Sequence, residues 1–184
     1  CKNVYLIKDI PNFDYKTSYA SSVLFPFASR IKDGKYTFLG EKYQLQKNDK
    51  NTNALHGLVY DKKFELFEYK VQENCCSVTI NYTENNKNLG FPFKYFISLT
   101  YTLFETSLQL NVTIKNLDQS PFPYILGWHP YFLSDDLSNS FLKFKSDKKV
   151  IFDKNLITKE IVKNTQDDFF RIEDKELDDC FFLE

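Results

Sequence analysis

Residues 91–104 read FPFKYFISLTYTLF, and the alternation within them decides the fold class. Phe93, Tyr95, Ile97, Leu99, Tyr101 and Leu103 recur at every second position, with Lys94, Ser98, Thr100 and Thr102 between them. Successive side chains of an extended chain point to opposite faces, so a period of two marks a strand with one dry face and one wet face. After Glu105, Thr106 and Ser107 the pattern restarts, with Leu108, Leu110, Val112 and Ile114 set against Gln109, Asn111, Thr113 and Lys115. Two such runs joined by a short polar stretch predict a long antiparallel hairpin.

The text on either side has the same character. CSVTINYT (76–83) alternates cleanly and runs into ENNKNLG (84–90), a cluster of turn formers. GKYTFLGEKYQL (34–45) reads as a tight hairpin around Gly40, and FLKFK (141–145) and KKVIF (148–152) as short strands with polar joints. Helical periodicity is scarce. TQDDFFRIED (165–174) is the one stretch expected to make a helical turn or two, capped by Asp or Thr. Many short strands separated by turns predict an all-β sandwich, a single domain over residues 1–184 with no linker and no repeat.

Composition excludes several classes of function. The 184 residues carry a formal net charge of −1, with lysines spread along the chain, so there is no basic footprint for nucleic acid. No apolar run approaches a membrane span, and nothing at the start resembles an export signal. The four cysteines, Cys1, Cys75, Cys76 and Cys180, include no C-x-x-C pair, so metal-ligand spacing is absent. Reduced thiols are expected, which favours the cytoplasm. The sequons at Asn81 and Asn111 fall within expected strands. With no Met at all, a chain beginning CKNVYL is expected to be processed or part of a longer protein; the alternative of a lipid-anchored Cys1 lacks the flexible linker that usually follows.

Four spots interrupt apolar text with reactive side chains. Arg30, one of only two arginines, lies in LFPFASRIKDG (24–34) and suits either a salt bridge or two-point bonding to oxygens. His56 in NALHGL (53–58) precedes Gly57, which permits an unusual backbone angle; the ring is either a hydrogen-bonded structural group or a presented one. His129 in YILGWHPYF (124–132) precedes Pro130, which pushes it toward extended geometry, and sits among Trp128, Tyr131 and Phe132. Those aromatics are either core or flat faces for the C–H side of a pyranose. Asp178 and Asp179 in ELDDCFFL (176–183) are either a solvated turn or a carboxylate that accepts two sugar hydroxyls.

Taken in order, LFPFASRIKDGKYTFLGEKYQL, NALHGL, GWHPYF and ELDDCFFL resemble the aldose 1-epimerase (galactose mutarotase) family over nearly the whole chain, LHG and GWHPYF being the most specific pieces. The resemblance implies a galactose mutarotase-like β-sandwich (supersandwich), here incomplete, with a cleft for a free hexose and no cofactor. Arg30 resembles the hydroxyl-binding arginine, although Ser29 stands where the family has Asn. His56 resembles the histidine that binds and orients the sugar, and His129 the one that acts as general acid. The family pattern places an Asp three residues before an aromatic, so the resemblance implies Asp178 rather than Asp179 as the sugar-binding carboxylate. The family's general base is a glutamate in a later segment for which these residues offer no match, and Glu184 follows a different motif. A chain stopping there is expected to be a poor catalyst.

The leading expectation is an isomerase that interconverts the α- and β-anomers of free hexoses by acid–base ring opening and reclosure. A hexose-phosphate epimerase of the same fold needs a cationic clamp, for which only Arg30 and Arg171 are present. A non-catalytic carbohydrate-binding protein and a β-sandwich interaction module are the further alternatives. The sugar readings expect Arg30, His56, His129 and Asp178 in one pocket sized for a pyranose. The oligomeric state is not legible.

Overall fold

The hairpin of residues 95–116 forms one half of a four-stranded antiparallel sheet, ordered Glu65–Val71, Cys75–Glu84, Tyr95–Phe104 and Leu108–Asn116. The computed structural model describes residues 5, 7–86, 88–175 and 177–183. Its chain divides into two compact units, Ser22–Trp128 and a second made of Cys1–Ser21 with His129–Glu184.

In the first unit the alternation acts as expected. Ile97 pairs with Tyr82 on one side and Ile114 on the other, and Leu99 with Ile80 and Val112, so apolar residues line up across the sheet. Tyr95, Ile97 and Leu99 are buried. The core over them is aromatic: Phe25 is fully buried, with its ring 4.9 Å from Tyr95 and 6.3 Å from Phe91. Phe91 in turn packs edge-on against Phe93 at 4.9 Å and Phe122 at 5.5 Å. Burial fades along the sheet: Leu103, Leu66, Tyr69 and Val71 are exposed, so the packed core occupies the end of the sheet near Tyr95.

The expected hairpin around Gly40 pairs Lys35–Phe38 with Glu41–Gln44. Its turn residues Leu39 and Gly40 have φ of 49° and 85°, as a two-residue connection demands. Arg30–Ile31 pairs antiparallel with Ala54–Leu55, and Val23–Leu24 with Gly127–Trp128.

The second unit holds a hairpin, Lys148–Phe152 with Thr158–Lys163, extended on its other side by Cys180–Phe182. The helical expectation for 165–174 is corrected here. Phe169–Arg171 is a strand, paired antiparallel with Phe141–Lys143. Adjacent residues of a strand face opposite ways, so Phe169 meets Phe141 (4.6 Å) while Phe170 meets Phe144 (5.8 Å). Those contacts across the pair outweigh a marginal local preference for helix. The one α-helical turn among the described residues is instead Tyr15–Ser18, capped by the Asp14 side chain, which accepts from Lys16 N–H.

Candidate functional site

Pairing of Arg30 with Leu55 sets Ser29 opposite His56, one step beyond the end of the two-stranded ladder. The two residues bond reciprocally. His56 N–H donates to the Ser29 carbonyl at 3.1 Å, and Ser29 N–H donates to His56 Nδ1 at 3.3 Å. Both adopt left-handed backbone, φ 60° at Ser29 and 62° at His56, a conformation unusual outside glycine. Because Nδ1 accepts, the proton of the neutral imidazole sits on Nε2, which makes that atom a donor. Ser29 makes both of these bonds through its backbone.

Gly57 fixes the approach from below. It bridges to Phe25, and Leu58 N–H donates to the Phe25 carbonyl at 2.7 Å. A Cβ at Gly57 would stand 2.3 Å from that carbonyl oxygen, so only glycine permits the contact. The backbone next to His56 is therefore tied to a fully buried aromatic of the core.

Two residues outside the sequence expectation hold this corner. The Asn48 side chain brackets Leu55, accepting from its N–H at 2.7 Å and donating to its carbonyl at 3.0 Å. The Asp49 carboxylate accepts from Arg30 Nε at 2.8 Å. That bond holds the Asp49 carboxyl below the usual carboxylate range, aided by Asn53 and Lys50 and opposed by partial burial. The run KNDKNTN (47–53) carries the signal only in its residue types, which are equally those of a solvated turn.

Arg30 and His56, expected together, are thus brought together. Each also satisfies its structural alternative, Arg30 as an ion pair and His56 as a hydrogen-bonded ring. Two grooves of this unit, of about 460 Å³ around Gln44, Asn48, Gly57 and Tyr60 and about 260 Å³ around Phe27, Ile31, Tyr36 and Tyr124, are lined by neither of them.

His129 and Asp178 belong to the other unit. His129 is the first residue after the short strand Gly127–Trp128 and precedes Pro130. Its carbonyl accepts from Ser21 N–H at 2.8 Å. Its ring lies 5.4 Å from that of Tyr131 and 6.4 Å from that of Tyr19, centroid to centroid. Tyr131 is itself anchored, its hydroxyl donating to the Ser18 carbonyl at 3.0 Å. Tyr19, far away in sequence, was not foreseen. Asp178 is exposed in the segment that leads into Cys180–Phe182, while Cys1 and Glu184 lie outside the described residues. Among the described residues no group of three or more His, Cys, Asp or Glu could hold a metal ion, and no helix is long and apolar enough to cross a membrane.

Uncharacterized protein YihR of Escherichia coli K12 is 29% identical over 116 residues, which take in 62% of this chain and 36% of YihR. A galactose mutarotase-like protein from Clostridium acetobutylicum superposes over 86% of this chain and 50% of its own, with a TM-score of 0.73 and 24% identity. For galactose 1-epimerase from Lactobacillus acidophilus NCFM the shares are 92% and 54%, the TM-score 0.75 and the identity 18%. At these identities the likeness is one of fold, and the chain spans about half the length of both structures. The family model for aldose 1-epimerase matches residues 2–184. The chain belongs to the aldose 1-epimerase family.

Proposed function

We propose that the protein acts on free hexoses, interconverting their α- and β-anomers. The observation that carries the reading is the reciprocal bonding of Ser29 with His56, which fixes the backbone one step from Arg30 and holds the neutral His56 ring in the tautomer with its proton on Nε2. Sugar hydroxyls are neutral and directional, and a pre-oriented pair of donors suits them. Family membership supplies the reaction class.

Anomer exchange needs two proton movements. A base removes the proton of the C1 hydroxyl while an acid protonates the ring oxygen. The C1–O5 bond breaks, the C1–C2 bond rotates, and reclosure from the other face gives the second anomer. In this reading His129 is the acid, since an imidazolium can release its proton near neutral pH and recover it on reclosure. Arg30, His56 and Asp178 hold hydroxyls and keep the sugar in register. The aromatic rings of Tyr19 and Tyr131 beside His129 limit its approach to water.

The test is saturation-transfer NMR between the C1 protons of α- and β-glucose, and of α- and β-galactose, with and without protein. The expected result is exchange faster than the spontaneous rate, saturating with sugar. Saturable binding with the spontaneous rate unchanged would replace the isomerase by a carbohydrate-binding protein.

A further inference from the structure

Arg30 is the only arginine of its unit, and what it offers a ligand depends on its partner. Asp49 takes the Nε edge of the guanidinium at 2.8 Å, with the two side chains only 21% and 15% exposed. The other ion pairs among the described residues, Lys70–Glu68, Lys159–Glu160 and Lys175–Glu173, join side chains at least 42% exposed. The carboxylate is not on a loose loop. Asp49 N–H donates to the Asn53 carbonyl (3.1 Å), Thr52 N–H and Oγ1 both return to the Asp49 carbonyl, and Asn53 is buried with its Oδ1 accepting from Asp33 N–H. Next to it, Asn48 brackets Leu55, the cross-strand partner of Arg30. Lys50 is the other cation that acts on Asp49.

We infer that Asp49 is a specificity-determining residue that cancels the charge of Arg30 toward an incoming ligand, so that Arg30 reads uncharged sugar hydroxyls and disfavours phosphorylated sugars. The inference rests on the reading of Arg30 as a sugar-binding residue. The physical reason is simple. A lone guanidinium is a phosphate site, because its forked N–H groups match two phosphate oxygens and its charge attracts them. Pairing through Nε leaves the outer N–H groups as directional donors, while the adjacent carboxylate repels any anion that approaches them. Partial burial keeps that repulsion from being wholly screened.

The test is Asp49→Asn, which keeps an oxygen to accept from Arg30 Nε but removes the charge. Affinities are measured for a neutral hexose and for the same hexose 6-phosphate, and Arg30 Nε–H is followed by NMR under titration with inorganic phosphate. The expected result is a rise of about tenfold in the ratio of phosphorylated to neutral affinity, with neutral binding changed less than about threefold. Inorganic phosphate should move the Arg30 signal in the variant at concentrations about tenfold lower than in the wild type. The double variant Arg30→Ala/Asp49→Asn should lose the gain. Asp49→Ser serves the same comparison should the Asn variant fail to fold. An unchanged ratio and an unchanged phosphate titration overturn the proposal, as does a gain that survives loss of Arg30. Should neither sugar bind the wild type while the phosphate response at Arg30 still rises, the charge-cancelling role of Asp49 stands and the hexose reading falls.

Discussion

Replacing Gly57 by alanine probes the join between the core and the candidate site. On the observed backbone a Cβ there would lie 2.3 Å from the carbonyl oxygen of Phe25, 2.6 Å from its carbonyl carbon and 2.8 Å from its nitrogen. These are main-chain atoms of a fully buried residue packed against Phe91, Tyr95 and Phe122, so no side chain can swing aside. Gly57 also has φ 81°, a region that costs an L residue about 1–2 kcal/mol. Gly40 separates the two effects, because it has φ 85° and no atom within 4 Å of where its Cβ would be. Gly40→Ala should therefore cost only the conformational part, about 1–2 kcal/mol. Gly57→Ala adds overpacking of about 1–3 kcal/mol. Loss of the Leu58–Phe25 hydrogen bond adds about 1 kcal/mol. The total is about 3–6 kcal/mol, a large part of the roughly 5–15 kcal/mol that holds a domain together. At about 2–4 °C per kcal/mol for a chain of this size, the variant should melt roughly 6–24 °C below wild type. The assay is thermal unfolding of both alanine variants side by side, followed by circular dichroism and near-ultraviolet absorbance. If Gly57→Ala melts within about 2 °C of Gly40→Ala, the approach to Phe25 is not what demands glycine, and the argument that the core positions His56 is refuted.

His129→Ala should slow catalysed anomer exchange by about a hundredfold or more with little change in melting temperature; exchange at the wild-type rate would remove His129 as the acid. At low pH two carboxylates matter. Burial pushes the Glu84 carboxyl up, but bonds from the Tyr82 hydroxyl, the Asn88 amide and Asn86 N–H outweigh it and hold the group below its ordinary range, as Arg30 does for Asp49. Both therefore contribute stability that is complete above the unfolded carboxylate pKa and is lost as pH falls through the lower folded value. Glu84→Gln should flatten the loss of stability below about pH 4, and an acid limb of unchanged slope would refute the assignment. At high pH the phenols of Tyr36, Tyr82 and Tyr95 are all pushed up, chiefly by burial. Their contribution is complete below the ordinary tyrosine pKa of about 10 and declines as pH rises beyond it. Ultraviolet titration should then show these tyrosines ionising only together with unfolding; early ionisation of all twelve tyrosines would contradict the burial.

How much of the molecule was legible beforehand follows from the range of the forces involved. Alternation along 91–104 and 108–115 reports a dry and a wet face, and the strands Tyr95–Phe104 and Leu108–Asn116 lie there because burial in a sheet repeats every second residue. The Gly40 turn was legible for the same local reason, since its backbone angles need a small residue. The helix expected at 165–174 was wrong because its local preference is weak, and the partner that decides it, Phe141–Lys143, comes from a distant stretch. Among the candidate functional residues, Arg30, His56, His129 and Asp178 stand out by residue type and by resemblance. Asn48 and Asp49 did not, for an Asn-Asp run in a polar loop looks the same whether it faces water or an arginine. Only the antiparallel pairing of Arg30 with Leu55 brings that loop within bonding distance of both strands. Side-chain periodicity is a property of the chain by itself, whereas the partner of a charge is set by which distant backbone lies beside it.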